Sequence, residues 1–357
     1  MALLLLLFAA PAFVAASGGL ERRLIYPAIP VKYGSAAWIA RQIFENERDA
    51  DIVFMGSSHM LTAVRTRYVK EEFSRRLGRE AEAFTLAWPR GGFDVLSVIV
   101  EDLLAHRRVR TLVIYDEGYD EVPHLLAPRW ISLGPNGDLL RGVPFGQAVG
   151  LYGSAVLGLP RHLLSLLRPD RLEDPTSPAP DYWTNAYQAP NLASELGALR
   201  ARIGFAARPG FLPIVPIVPF VADGSATPAD VFVYGPETRE QFEFGGPPTG
   251  PYQLHFARRV AELCRAHGTK LVVLHTPTLR ERGATRIIER DFWPGELGAD
   301  VALLGIAPAR LLAGIEPSKV ELLFYEVDHV NQNGQDLFTR LITPALFSIY
   351  DRAAPAH

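Results

Sequence analysis

Two short stretches of the chain hold side chains that could share one reaction. The first is DADIVFMGSSHM, residues 49–60, where an apolar run from Ile52 to Met55 stops at Gly56 and is followed by Ser57, Ser58 and His59. The second is FYEVDHVNQNGQDLFTRL, residues 324–341, with Glu326 three residues before His329 and Asp328 one residue before it. A serine hydroxyl is a weak nucleophile at neutral pH and needs a base within hydrogen-bond reach. Histidine serves because its pKa lies near neutrality, and a carboxylate on its other ring nitrogen fixes the tautomer. Each stretch also has a plain structural explanation. Gly-Ser-Ser after a strand is a common turn, and Asp-His-x-Asn before a helix is a capping loop in which Asn331 or Asn333 satisfies free N–H groups. Their joint occurrence, in that order and at opposite ends of the chain, is what favours chemistry.

Such an arrangement needs a scaffold that carries both stretches to one edge. Apolar runs at Ile52–Met55, Ala83–Trp88, Val109–Tyr115 and Lys270–Leu274 read as strands, and either Val301–Leu304 or Val320–Phe324 as a fifth. Between them, a segment following YPAIPVKYGS, then Tyr68–Leu77, Phe93–Ala105, Tyr252–His267 and Gln335–Tyr350 have helical spacing, the last with Pro344 expected to kink it. Strand–helix alternation with uninterrupted apolar strands predicts a parallel sheet buried on both faces. Residues 121–250 break the rhythm, are rich in proline, and keep helical patterning only near 147–167 and 190–205. The organisation expected is therefore an α/β core over 18–120 and 251–357, interrupted by an irregular insertion or cap at 121–250.

In parallel sheets the functional groups collect at the carboxyl ends of the strands. Three further loops fall there: Pro89-Arg90-Gly91-Gly92, Asp116-Glu117-Gly118 and His275-Thr276-Pro277. Arg90 reads as a surface residue or an anion clamp, and Asp116 and Glu117 as solvated loop carboxylates that near a site would bind a sugar hydroxyl. His275 reads as a strand-end residue lining the cleft, and His59 as pointing away from Ser58 to cap the turn or touch substrate. A metal site built from His59, Asp116, His275 and His329 has no ligand spacing to support it, and the chemistry calls for no cofactor.

The bulk composition narrows the class. The chain has 357 residues, is about half apolar, and carries a net charge of −3 with both signs interspersed. That excludes nucleic acid as the main partner, since phosphate binding needs a concentrated basic surface. The single cysteine, Cys264, excludes an internal disulfide and a cysteine-based zinc site. Residues 1–17, MALLLLLFAAPAFVAAS, are apolar and uncharged, short for a bilayer span but suited to a signal peptide or a retained anchor. Export is the expectation, with Glu21-Arg22-Arg23 at the membrane surface or just past a cleavage site.

Gly-Ser-Ser-His after a strand and Glu-x-Asp-His-Val-Asn-x-x-Gly before the last helix together resemble the SGNH/GDSL hydrolase superfamily. The exported branch with Gly-Ser-Ser in its first block is the nearer likeness, a branch similar to the D-alanyl-transfer protein of teichoic-acid synthesis and to alginate O-acetylation proteins. The resemblance covers about 45–120 and 265–350. It implies a flavodoxin-like three-layer α/β/α fold with Ser58 as nucleophile, His329 as base and Glu326, or the competing Asp328, as the acid. It implies an oxyanion hole from the N–H groups of Ser58 and of Gly91 or Gly92. Where the family has Gly-x-Asn-Asp, this chain has Tyr115-Asp116-Glu117-Gly118, so the asparagine donor is missing. The function implied is an exported or membrane-anchored esterase or O-acyltransferase acting on acyl esters, such as acetyl, of a cell-envelope or extracellular polysaccharide. A membrane acyltransferase would be its partner. The alternative is a non-catalytic glycan-binding or assembly protein of the cell envelope with the same fold.

Overall fold

The computed structural model describes residues 9–14, 16–26, 29, 36–87, 92–116, 123–134, 137–140, 143–167, 224–234, 250–279, 292–320, 323–324 and 329–352. Six strands form one sheet: β1 (Ala50–Gly56), β2 (Ala83–Ala87), β3 (Val109–Tyr115), β4 (Phe232–Tyr234), β5 (Lys270–Leu274) and β6 (Ala302–Gly305), in the order β2-β1-β3-β5-β6-β4. All pairings are parallel except that of β4 with β6. Counting only the parallel strands, the order is 2-1-3-4-5, the flavodoxin-like doubly wound arrangement.

Side chains on the strands alternate between two apolar layers. Val53, Met55, Leu112, Ile114 and Val273 face one, and Ile52, Phe54, Val113, Val272 and Leu304 face the other. Nine helices matter here: α1 (Ala36–Phe44), α2 (Ser58–Ala63), α3 (Thr66–Leu77), α4 (Phe93–His106), α5 (Ala127–Leu133), α6 (Phe145–Leu166), α7 (Pro251–Ala266), α8 (Phe292–Leu297) and α9 (Gln332–Arg352). Ile39 of α1, Ile99 of α4 and Val260 of α7 fill the first layer, with α5 and α6 outside them. Val69 and Phe73 of α3 and Phe338 and Ile342 of α9 fill the second. The expected three-layer α/β/α architecture is the observed one.

Several details depart from the expectation. The fifth parallel strand is Ala302–Gly305, whereas Pro317–Val320 is a helical turn and Phe324 makes an isolated bridge to Val330. The helix expected at Tyr68 starts at Thr66, and α9 runs through Pro344. The described part of 121–250 does more than lie over the sheet. Trp130 of α5 and Leu151 of α6 are buried in the main core, and β4 gives the sheet an antiparallel edge. A three-residue strand carries too little alternation to be read from sequence. Patterning at 190–205 falls outside the described residues. The chain after the N-terminal apolar run is also part of the body. Arg22 pairs with Glu101 and Asp102 at 2.6 and 2.7 Å, and the Tyr26 hydroxyl donates to Asp102 at 2.8 Å.

Asp51, at the start of β1, ties the sheet to both long helices of its second helical layer, α3 and α9. Its carboxylate accepts from Arg79 at 2.9 Å just past α3, from the Glu82 N–H at 2.8 Å before β2, and from the Tyr350 hydroxyl at 2.6 Å near the end of α9. Burial alone would raise its pKa, but the hydrogen bonds from Arg79, Tyr350 and Glu82 outweigh burial and hold it below the ordinary carboxylate value. A depressed folded pKa means stabilisation that is complete at neutral pH and is lost as pH falls through that folded value. Asp51→Asn is therefore expected to cost about 1–3 kcal/mol at neutral pH. Denaturant unfolding across pH should show the gap to wild type closing in acid; a gap independent of pH would contradict this assignment.

Candidate active site

The serine stretch is shaped by close packing where β1 meets α2. A Cβ at Gly56 would lie 2.9 Å from Tyr115 Cβ and 3.2 Å from Met60 Cβ, so only glycine lets the chain leave β1 this tightly against β3. Ser57 is the N-cap of α2, its Oγ accepting from the His59 N–H at 3.2 Å. Ser58 is the first residue of the helix and is half-buried. Its N–H belongs to the first-turn amides that no carbonyl of the helix can accept.

The histidine stretch is held by a different device. Phe324 and Val330 form an antiparallel bridge, and the Asn331 N–H donates to the Leu323 carbonyl at 2.9 Å. Asn331 then caps α9, its Oδ1 accepting from the N–H groups of Asn333 at 2.9 Å and Gly334 at 3.2 Å. A side chain at Gly334 would run into the Leu323 carbonyl and come within 2.9 Å of Val330 Cβ. His329 sits one residue before this bridge and is 8% exposed. Its Nε2 lies 2.8 Å from Ser58 Oγ. With the ring proton on Nδ1, Nε2 accepts the serine proton. The capping explanation holds, and the same cap fixes where the imidazole sits.

What brings the two stretches together is a seam of hydrogen bonds between α2 and α9. Gln335 Nε2 donates to the carbonyls of Leu61 and Val64, both at 3.3 Å. Thr339, one turn later on the same face, accepts from the Arg65 N–H at 2.9 Å and donates to the Ala63 carbonyl at 3.3 Å. Arg65 closes the seam with an ion pair to Asp336 at 2.5 Å. Gln335 and Thr339 are buried, so their N–H and O–H donors must find partners, and the open carbonyls at the end of α2 accept from them. Sequence reading missed both residues. A polar row at 335, 339 and 343 on the buried face of the last helix was the available signal.

His59 makes a contact not anticipated from sequence: its ring lies face to face with His329, centroids 4.0 Å apart and planes 11° from parallel. On its other side it stacks on Tyr115 at 5.2 Å, and its Nδ1 is 3.2 Å from Ser57 Oγ. Asp116 and His275 lie next along the strand ends, 3.6 Å apart between Oδ2 and Nδ1. Asp116 is not a solvated loop carboxylate, since it is buried and accepts a hydrogen bond from Trp293 Nε1 on α8. Sequence reading did not single out Trp293. His275 closes the row, its N–H donating to the Leu304 carbonyl at 2.8 Å. Among the described residues no group of three or more His, Cys, Asp or Glu side chains could hold a metal, and the four considered for one do not form such a group.

Gly92 caps α4 in an extended conformation with φ −173°. A Cβ there would lie 2.6 Å from Asp94 Oδ1 and 2.9 Å from His124 Cβ, so close approach explains the glycine without any catalytic role. Asp94 organises this corner, accepting from the His124 N–H at 2.7 Å and the Tyr252 hydroxyl at 3.0 Å. Asp94 stands in the first turn of α4, a helix-start signal visible in the sequence. Burial, with the neighbouring Asp94 carboxylate, pushes the Tyr252 phenol far above its ordinary value, so it stays a donor. Arg90, Gly91, Glu117, Glu326 and Asp328 lie outside the described residues.

No protein-family model matches this chain, and no curated protein matches it in sequence. The seam between α2 and α9 is open to a direct test. Thr339→Val removes a buried donor and acceptor while keeping shape, leaving the Arg65 N–H and the Ala63 carbonyl without that partner. It should cost about 1–3 kcal/mol in denaturant unfolding. A neutral effect would show that the seam does not hold α2 to α9.

Proposed function

We propose that this chain is an SGNH-type serine esterase or O-acyltransferase, exported and acting on acyl esters of a cell-envelope or extracellular polysaccharide. The observation that carries the reading is the 2.8 Å contact between Ser58 Oγ and His329 Nε2. It lies at the carboxyl end of β1, beside β3, where the strand order reverses and open α/β sheets take their ligands. The half-exposed hydroxyl beside a mostly buried imidazole suits a nucleophile and its base.

In this reaction Ser58 Oγ forms a bond to the acyl carbon as its proton passes to His329 Nε2. The tetrahedral intermediate collapses, the ester C–O bond breaks, and the imidazolium returns the proton to the departing alkoxide. Water or a sugar hydroxyl then attacks the acyl-serine, again giving its proton to His329; the second tetrahedral intermediate collapses, the acyl carbon–Oγ bond breaks, and the imidazolium returns the proton to Ser58 Oγ. Esterase and transferase differ only in which hydroxyl enters at that stage. The Ser58 N–H and an N–H of Gly91 or Gly92 are the proposed oxyanion donors, and Glu326 or Asp328 the proposed partner of the second ring nitrogen. A membrane acyltransferase handing on the acyl group fits the transferase form.

One observation favours a second reading, a non-catalytic glycan-binding or assembly protein of the same fold. The loop after β3 offers no asparagine, and Asp116 is already engaged by Trp293. One such oxyanion donor is worth roughly 3–4 kcal/mol of barrier.

A serine-directed fluorophosphonate separates the two. Wild type should be labelled, Ser58→Ala not at all, and His329→Ala at a rate lower by about 10⁴-fold. Absence of labelling in well-folded wild type would favour the binding protein. A second prediction concerns His59, stacked between Tyr115 and His329. His59→Ala should lower kcat by about 10–100-fold, the scale of a displaced catalytic group, with KM little changed. His59→Phe, which can still stack, should recover most of the loss. Equal losses in both variants would contradict a stacking role.

A further inference from the structure

We propose that α6 is a membrane-surface helix: the solvent side of Phe145–Leu166 lies on the hydrocarbon of a lipid bilayer. One side of this helix is committed to the protein. Leu151, Ala155, Val156, Leu159 and His162 are buried, His162 Nδ1 lies 2.6 Å from Ser132 Oγ, and Arg129 donates to Ser165 at 2.7 Å. The other side is apolar as well. Phe145, Leu157 and Leu167 are 85, 84 and 79% exposed, and Val149, Leu163 and Leu164 between 45 and 54%. Their spacing places them within about a third of the helix circumference, with the buried Val156 set among them. Arg161 is the only Asp, Glu, Lys or Arg in the helix. A mostly apolar outward side, broken only by Ser154 and Arg161, favours an apolar neighbour.

Lipid is the occupant favoured by what adjoins the stripe. The chain is apolar and uncharged from Met1 to Ala16. Phe13, in its described part, is 74% exposed, while Ala10 packs on the same core that α6 covers. The run meets the body where the Leu20 N–H donates to the Leu133 carbonyl at 2.9 Å, one residue from the serine that holds His162. Arg22, bound to Glu101 and Asp102, keeps the chain from swinging away from that point. The chain just after the run and α6 are thus both tied to α5, and neither the run nor α6 has a carboxylate in its sequence. Among the described residues no helix is long and apolar enough to cross a membrane, so α6 fits a bilayer lying flat, with the protein body as its polar side. Binding through this surface does not depend on the esterase reading.

The test uses the full chain with a single environment-sensitive nitrobenzoxadiazole probe. Cys264 is buried, and burial pushes its thiol up to about 12, so an introduced surface cysteine is labelled selectively. Leu157→Cys and Leu164→Cys report on the stripe, and Arg67→Cys on α3, across the sheet, is the control. With phosphatidylcholine–phosphatidylglycerol vesicles, probes at 157 and 164 should shift to the blue and be quenched by brominated acyl chains, while that at 67 should not change. Three results would overturn the proposal. A blue spectrum without vesicles at every protein concentration means that another part of this chain covers the stripe. A blue shift that grows with protein concentration means a second copy. A water-like spectrum with vesicles, whether or not the protein floats with them, means that α6 stays out of the lipid.

Discussion

The bond between Ser58 and His329 closes a loop of 271 residues, and everything that makes the site depends on that closure being already met by the fold. A single hydrogen bond is far too weak to order so long a chain. The sheet does most of the work, since parallel strands β1 and β3 and the helices packed on them must form before either stretch has a place. The seam from α2 to α9 does the rest. Gln335 and Thr339 are buried polar side chains whose partners are the last carbonyls of the helix that begins with Ser58. The helix that presents the hydroxyl is therefore bonded at its far end to the helix that follows the imidazole. Movement of one carries the other.

Glycine sets the remaining tolerances. Gly56 brings α2 tightly against β3, and Gly334 brings α9 against Leu323 and Val330. Neither has the left-handed backbone that makes glycine necessary elsewhere, as at Gly78 after α3. Both are there because the space for a Cβ is already taken. On this framework the aromatic column of Tyr115, His59 and His329 sets the imidazole plane from the side, while the Asn331 cap sets the height of His329 above the helix. Two independent constraints on one ring are what a base needs to stay within reach of its nucleophile.

The sequence was most legible where burial leaves a long, uniform trace. β1, β3 and β5 carry apolar runs at Ile52–Met55, Leu112–Tyr115 and Leu271–Leu274 because a parallel sheet is covered on both faces, and the alternation with amphipathic segments pointed to parallel pairing. β4, three residues on the antiparallel edge, left no such trace. Ser58 and His329 could be matched across the chain because their chemistry is complementary. His59 could not be placed in the same way: its partner comes from a distant segment, and adjacency to Ser58 in sequence says nothing about a ring stacked from the far end of the chain. Asp116 looked like a loop carboxylate because sequence does not show Trp293 arriving from α8 to bury it. The seam was half-visible, as a row of polar residues on the buried face of the last helix.

The central claim is that Ser58 and His329 act as one nucleophile and base. Its most direct measurement is acid-quenched intact mass spectrometry after brief exposure to an activated acetyl ester, followed by peptide mapping. The account predicts one acetyl group per chain, located on Ser58 in wild type and accumulating far more slowly in His329→Ala. Acetyl found on another residue, or forming at the wild-type rate without the imidazole, would contradict it.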